Sequence, residues 1–471
     1  MYAQKKSFFQ SPATQISLKL LLIFVLVLFL LIPKFMILNL IDERKNLSLS
    51  VIDEVSAGWG SDQIITGPIL VIPYYEDVLQ EDKTKPKIRE KKNLLVYPET
   101  LETDGTISTE SKYRSLYKVL LYKSDMDVKG SFAIPTTDLL NINPTDILDH
   151  EAYIALGISD LKGIENKIDF HWNQASKSFS PGIGTLRFNF DVDPQNSDYS
   201  QKYIMNEGKG FSFNTGLQTK VSLDLNVNQY TFAFHLDIKG SKTLMFAPLG
   251  KTTKVHMKSS FPDPVFAGGF LPQHETNASG FDATWNILEY NKNLPAFQKD
   301  GYQVALSDNL FGVKIQHLVD TYTTTYRAGK YMILFITLTF LVVFLTEIVQ
   351  KLKIHIFQYT LIGLALAIFF VLLLSISEFW GFDRAYFGAS LATIGLIYLY
   401  SLGMFNSKKS SMLLLGLLSG LFAYIYLIIQ LEKMALLAGA LGLFVIIAAT
   451  MYVTRKIKWF EEEANHSQSV P

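Results

Sequence analysis

The sequence predicts an α-helical membrane protein of about six spans carrying an all-β or β-rich extracytoplasmic domain, built as sandwich-like antiparallel sheets. Three observations predict it. Charged residues make up 18% of the chain, below the roughly 25% of ordinary soluble domains. The deficit is uneven: from Tyr331 onward most residues are apolar, whereas Asp42 to Lys330 has a soluble composition. Within that soluble stretch, apolar and polar residues alternate with a period of two, as in strands with one face in a core and one in water.

A chain of 471 residues is too long for one ordinary domain and suggests two or three units. Its 43 basic and 43 acidic residues cancel, so it carries no electrostatic footprint for nucleic acid. It has no cysteine, which excludes structural disulfides and thiolate metal sites.

A membrane span hides its backbone polar groups in hydrocarbon for about 20 residues. The first candidate is Leu18 to Leu40, with a dense run from Leu20 to Ile32 interrupted by Lys19, Pro33, Lys34 and Asn39. Lys5, Lys6 and a short apolar run also resemble a secretory signal. The run is followed by Pro33, Lys34, Phe35 and Met36 rather than a small-residue cleavage site, so an uncleaved anchor is expected. Five further spans follow: Tyr331–Val349, Ile354–Ile376, Ala385–Phe405, Met412–Gln430 and Met434–Val453. Gly416, Gly420, Gly439 and Gly442 suit close helix contacts, the first two at a small-xxx-small spacing.

Basic residues near span ends set orientation. Lys5, Lys6, Lys19, Lys351, Lys353, Lys408, Lys409, Arg455, Lys456 and Lys458 fall on one side of a six-span topology. The opposite short loops hold one base each, Arg384 and Lys433; Lys34, Arg327 and Lys330 run against the trend. The balance expects both termini in the cytoplasm and the large domain in the periplasm. The expected division is residues 1–41 as cytoplasmic N-terminus and first span, 42–326 as the periplasmic β-rich domain, 327–455 as a bundle of five spans, and 456–471 as a cytoplasmic tail.

In the outer domain, Ile41 to Val55 reads as a helix continuing out of the first span. Thr66-Gly67-Pro68 reads as a turn, and Ile69–Ile72 as a short apolar strand stopped by Pro73. Alternation marks strands through Leu186, Phe188 and Phe190, through Val221, Leu223, Leu225 and Val227, and through Phe232, Phe234, Leu236 and Ile238. Glu81 to Lys92 reads as a solvated loop or hairpin tip. No strand–helix alternation points to a parallel-sheet fold.

No catalytic, cofactor or metal residue is assigned from the sequence. Ser115-Leu116-Tyr117-Lys118 and Ser307-Asp308-Asn309 have the spacing of penicillin-interacting enzymes. That chemistry needs its serine at a helix start with lysine one turn away, followed by K-T-G. Tyr113 to Lys123 instead reads as alternating strand, and Lys251-Thr252-Thr253 comes too early and lacks the glycine. Histidines 150, 171, 235, 256, 274, 317 and 355 are scattered without an H-E-x-x-H or tight pair, so exposed or hydrogen-bonded histidines are expected. Pro181-Gly182-Ile183-Gly184 reads as a turn rather than a phosphate loop. Glu347, Glu378, Asp383 and Arg384 lie at span ends, where snorkelling or an interfacial position accounts for them. No charge falls at a midplane, as an ion-coupled transporter would require.

Several segments resemble the CreD family of bacterial inner membrane proteins over nearly the whole chain. Gly67-Pro68-Ile69-Leu70-Val71-Ile72-Pro73, Phe266 to Pro272 (FAGGFLP) and Gly280 to Trp285 (GFDATW) are similar to the family's G-P-x-[LI]-x-[IV]-P, F-x-G-x-F-L-P and G-F-x-A-x-W. Tyr322 to Glu347 matches best, and Gln358-Tyr359 and Ser375 to Glu378 continue the pattern. The chain departs at Ile356, where the family often has proline, and at Phe379, where it often has histidine. No role proposed for that histidine carries over. The resemblance implies a part in envelope integrity and in responses to β-lactams or colicins, in several bacteria under the CreBC two-component system, and no established reaction.

The expected function is thus a non-enzymatic envelope integrity factor, anchored among membrane lipids. Its periplasmic domain would bind a protein, lipid or cell-wall component. Two other readings stay open: a transporter or lipid-handling protein acting through the C-terminal spans, and a periplasmic serine hydrolase.

Overall fold

The computed structural model describes residues 12–78, 87–136, 140–190, 211–224, 226–292, 294–299, 303–305, 309–315, 321–350, 352–405, 407–431 and 434–455. The chain divides into two compact units, one of Met1–Ser48 with Val319–Pro471 and one of Leu49–Leu318.

The first unit is helical. Helices α1 (Pro12–Phe29) and α2 (Leu31–Trp59) are nearly continuous, and α2 from Leu49 onward belongs to the second unit. Leu30 N still bonds Leu26 O at 3.0 Å, and Lys34 N reaches Leu30 O at 3.4 Å. Pro33 has no N–H to offer Phe29, and a proline inside a helix breaks or kinks it one turn upstream. The extension beyond the first span runs to Trp59, past the expected Val55. Further on come α3 (Thr321–Lys330), α4 (Met332–Val349), α5 (Ile356–Trp380), α6 (Phe382–Met404), α7 (Lys408–Gln430) and α8 (Ala435–Thr454). Among the described residues, five helical stretches are long and apolar enough to cross a membrane: Ile16–Trp59, Thr321–Val349, Ile356–Trp380, Phe382–Met404 and Lys408–Gln430. Helix α8 adds 20 residues without a charged side chain, which brings the count to about six.

Gly381 closes α5 and opens α6 with φ 78°, a conformation that glycine adopts without steric penalty. The bundle core is aromatic: Phe422 packs on Phe335 at 4.6 Å and on Phe369 at 4.9 Å between ring centroids. Tyr386 donates its hydroxyl to Phe422 O at 2.8 Å. Phe387, Leu391, Leu399 and Met412 are left exposed, an arrangement that lipid accepts and water does not. Close helix contacts occur at glycines other than most of those expected. A Cβ added at Gly363 would lie 2.4 Å from Leu30 Cδ1 and 2.9 Å from Phe340 Cζ. At Gly416, Gly420 and Gly439 it would meet open space, and only Gly442 of the expected four abuts a neighbour, Tyr424.

The second unit holds three sheets among the described residues. The nine-stranded sheet runs β15 (Val265–Gly268), β20 (Phe311–Lys314), β13 (Thr243–Phe246), β1 (Gln63–Val78), β5 (Tyr153–Ile158), β11 (Gly216–Lys220) and β8 (Ser180–Pro181). The far end of β1 pairs with β2 (Ile88–Val96), which pairs with β18 (Phe297–Gln298). The eight-stranded sheet runs β16 (Gln273–Asn277), β17 (Gly280–Ile287), β14 (Thr252–Ser259), β3 (Thr100–Arg114), β4 (Tyr117–Ala133), β12 (Gln229–Ser241), β6 (Asp169–Trp172) and β7 (Ala175–Ser178). A small sheet joins β10 (Phe211–Phe213), β9 (Arg187–Phe190) and β19 (Gln303–Ala305). Pairing is mostly antiparallel as expected, with parallel pairs at β1–β13, β3–β14 and β9–β19 that alternation could not reveal.

The two large sheets share one core, in which Leu70, Ile72 and Leu156 meet Met126, Phe170, Phe234 and Trp285. A second core lies on the other face of the nine-stranded sheet, with Ile69, Val71, Ala155, Phe188 and Met245. Strand β1 is therefore buried on both faces from Gln63 to Tyr74, which explains its unbroken apolar run. Strand β12 is covered on one side only, and its residues alternate buried and exposed.

Four local expectations are corrected. Thr66-Gly67-Pro68 is an irregularity inside β1 rather than a turn, with a register shift against β5 between Thr66 and Ile69. Pro73 does not stop the strand; it pairs opposite Asn93, and its carbonyl accepts from Leu148 N at 2.8 Å. Val221 to Val227 forms no strand where described: Asp224 accepts from Asn226 N at 2.9 Å and Val227 N bonds Asp224 O, a local turn that competes with a ladder. Ile88 to Lys92 belongs to β2 rather than a loop, paired with β1, while 79–86 lies outside the described residues.

Candidate functional site

The exposed face of the eight-stranded sheet gathers the most chemistry. Register sets His256 of β14 opposite Asp104 of β3, Asp104 opposite Asp127 of β4, and Asp127 opposite His235 of β12. One step along, Asp125 faces Asp237. Residues two apart share a face of a strand, so Asp125-x-Asp127 and His235-x-Asp237 form one patch. His235 Nδ1 lies 2.8 Å from Asp127 Oδ1, and its Nε2 lies 3.3 Å from Asp237 Oδ1 and 3.8 Å from Asp125 Oδ1. Asn166 Nδ2 donates to the other oxygen of Asp237 at 2.6 Å. The Asp127 hydrogen bond holds the His235 pKa above the usual histidine value, aided by the charges of Asp237 and Asp125 and opposed by partial burial. His256 differs in having both nitrogens engaged, with Asp104 at 3.0 Å and Asp282 at 2.9 Å. The cluster of Asp125, His235 and Asp237 has the composition to hold a metal ion.

A cavity of 190 Å³ in the same unit is lined by Tyr97, Ile134, Leu249, Lys251, Lys292 and Phe297, among others. Lys292 donates to Pro248 O and Gly250 O, and burial pushes its pKa down to about 8, with Glu289 acting in the opposite sense. Lys251 pairs with Glu99 at 3.0 Å and Glu289 at 3.7 Å.

The serine-hydrolase elements do not assemble. Ser115 sits with φ 56° in a two-residue turn between Arg114 and Tyr117, not within a strand and not at a helix start. Thr252, next to Lys251, pairs with Thr100 at the opposite end of β3. Fifteen strand residues at about 3.3 Å each put Ser115 roughly 50 Å from Lys251. Ser307 and Asp308 lie outside the described residues. Of the remaining histidines, His150, His171 and His274 are exposed, His355 accepts from Phe357 N at the start of α5, and His317 lies outside the described residues.

In the helical unit, Glu347 is buried rather than snorkelling. It meets Lys19 of α1, and it accepts from Ile354 N at 3.1 Å and Tyr359 Oη at 2.9 Å. Lys19 Nζ also donates to Ile354 O at 2.6 Å. Glu378 accepts from Tyr322 Oη at 3.2 Å. Asp383 accepts from Tyr426 Oη at 2.9 Å and Gln430 Nε2 at 2.8 Å.

Two of the motifs that carried the resemblance, Phe266 to Pro272 and Gly280 to Trp285, prove to be packing devices in the sheet unit. Phe266 stacks edge-on against Phe281 at 5.7 Å and Trp285 at 5.8 Å, and Trp285 Nε1 donates to Phe270 O at 3.1 Å. Gly268 and Gly280 sit where a Cβ would lie 2.0 Å from Leu310 O and 1.9 Å from Ser259 O. Only glycine allows strands to meet there.

Comparison with known proteins agrees. The family model described as Inner membrane protein CreD matches residues 15–460. The chain is 30% identical over 452 residues to the Inner membrane protein CreD of Escherichia coli strain K12, covering 94% of this chain and 93% of that one. Together with the apolar helices and the sheet unit, these matches place the chain in the CreD family of inner membrane proteins.

Proposed function

We propose that the chain is a non-enzymatic envelope integrity factor, with its sheet unit in the periplasm and both termini in the cytoplasm. It contributes to survival of envelope stress such as β-lactams or colicins by binding a protein, lipid or wall component. The observation that carries this reading is that Leu49–Leu318 forms a two-core sheet unit whose chain enters and leaves through apolar helices. The basic residues around the spans support the orientation. Absence of cysteine permits a direct test: Glu275→Cys on the exposed strand β16, probed in intact spheroplasts with a membrane-impermeant maleimide. Labelling from outside is expected; labelling only after lysis overturns the topology. Removing the sheet unit while keeping the helices should abolish the envelope phenotype, and full rescue by the helices alone would overturn the role.

A second reading, transport or lipid handling through the spans, draws on the buried Glu347. Substrate flux in reconstituted vesicles that disappears in Glu347→Gln would favour it.

A further inference from the structure

We propose that His235, Asp125 and Asp237 form a site for a divalent transition cation of the zinc type, on the exposed face of the eight-stranded sheet, with Asp127 as the positioning residue.

The tautomer of His235 decides what its Nε2 offers. The contact from Nδ1 to Asp127 is the shortest that His235 makes, at 2.8 Å. A lone pair facing a carboxylate at that distance would repel, so Nδ1 carries hydrogen. In the neutral ring, Nε2 is then an acceptor. It points at two further acceptors, Asp237 Oδ1 at 3.3 Å and Asp125 Oδ1 at 3.8 Å. In that neutral form three electron-rich atoms converge, and no other donor among the described residues stands between them, so a positive centre belongs there.

Spacing selects a metal ion. Ligand atoms about 2.0–2.1 Å from a tetrahedral ion stand about 3.3 Å from one another. His235 Nε2 to Asp237 Oδ1 reaches that value, Nε2 to Asp125 Oδ1 exceeds it by half an ångström, and all three atoms lie within 4.8 Å of one another, within a rotamer adjustment on an open face. The carboxylate behind Nδ1 supplies the outer partner that metal-bound histidines use to fix ring and tautomer. One imidazole with two carboxylates suits zinc better than calcium or magnesium, which prefer all-oxygen shells. Water would complete the shell, since the face is open. Binding displaces any proton on Nε2 to solvent, so one proton leaves for each imidazolium that takes up the ion.

His256 is an internal control. Both of its nitrogens are within hydrogen-bond reach of a carboxylate, Asp104 on one side and Asp282 on the other. It has no free ring nitrogen facing a carboxylate pair, and the site does not use it.

The test is equilibrium dialysis of the full chain, purified in detergent without a histidine tag, against Zn²⁺, with Co²⁺ absorption as a second readout. Wild type and His256→Ala should retain one ion per chain and show the visible bands of four-coordinate cobalt. His235→Ala and Asp237→Asn should lose the ion. Asp127→Asn should keep the ligands but weaken binding by about tenfold. Unchanged thermal unfolding in the absence of metal separates loss of the site from loss of the fold. The proposal is overturned if wild type retains no stoichiometric ion, or if His235→Ala binds as well as wild type. It is equally overturned if NMR shows the His235 imidazolium persisting at saturating Zn²⁺, which would make a proton the only cation there.

Discussion

Lys19 and Glu347, 328 positions apart in the chain, meet through ammonium and carboxylate inside the helical unit, where Tyr359 and the Ile354 amide complete the carboxylate's partners. Removing one member of a buried pair leaves the other charged and unpaired, at a cost of about 3–5 kcal/mol. Glu347→Ala should therefore destabilise the helical unit by that order, measured as unfolding of purified protein in mixed micelles. The double variant Lys19→Met/Glu347→Leu should recover most of the loss. If the double variant is as unstable as the sum of the single ones, the two side chains are not coupled.

Glycine substitutions discriminate between real and apparent helix contacts. Gly363→Ala pushes a methyl group against Leu30 and Phe340 and should cost about 1–3 kcal/mol through overpacking. Gly416→Ala and Gly420→Ala enter open space and should leave stability unchanged or slightly raised. Thermal melts in one detergent compare all three.

In the nine-stranded sheet, a Cβ at Gly312 would lie 2.1 Å from Leu244 O and 2.9 Å from Met245 Cα. Backbone cannot yield as a side-chain tip does. Gly312→Ala should thus lower stability by about 3 kcal/mol and make the sheet unit protease-sensitive. Protease resistance equal to wild type would mean that β13 and β20 do not pair this closely.

Lys292 gives a pH dependence of definite sign. Its pKa falls from 10.5 to about 8 on folding, chiefly by burial. Between these values the unfolded chain binds more protons than the folded one, so stability rises with pH across this window. Below about 8 both states are protonated and the contribution is constant. Denaturant midpoints measured from pH 7 to 10.5 should show the rise in wild type and lack it in Lys292→Met. A midpoint that falls over the window in wild type alone would reverse the assignment.

Ser115 occupies a left-handed turn position at φ 56°. Ser115→Gly should stabilise the hairpin by up to about 1 kcal/mol, because glycine carries no Cβ penalty there, and Ser115→Val should destabilise it. Neither change should alter envelope phenotypes, and a labelled β-lactam should leave the residue unmodified. Covalent labelling at Ser115 would restore the hydrolase reading.

Much of this molecule follows from local pattern. Twenty-residue apolar runs fix the helices, because a backbone in hydrocarbon has no other way to satisfy its polar groups. Phe232 to Ile238 fixed a half-buried strand, because a period of two can serve only one wet and one dry face. Where both faces are covered, as in Gln63 to Tyr74, alternation vanishes, and the sequence pattern marks only the Ile69–Ile72 part of the strand. Where Asp224 and its neighbours bond locally, alternation misled, and a turn stands in place of a strand.

What the chain's order could not decide is which elements meet. Asp125-x-Asp127 and His235-x-Asp237 each mark one strand face, but only the antiparallel register of β4 with β12 brings them to one patch. Likewise Glu347 looked like a span-end charge free to reach water, and only helix packing set it against Lys19 and Tyr359. Secondary structure depends on neighbours within a few residues. Charge pairing, cavities and ligand geometry depend on contacts between residues far apart in the chain, which folding alone selects.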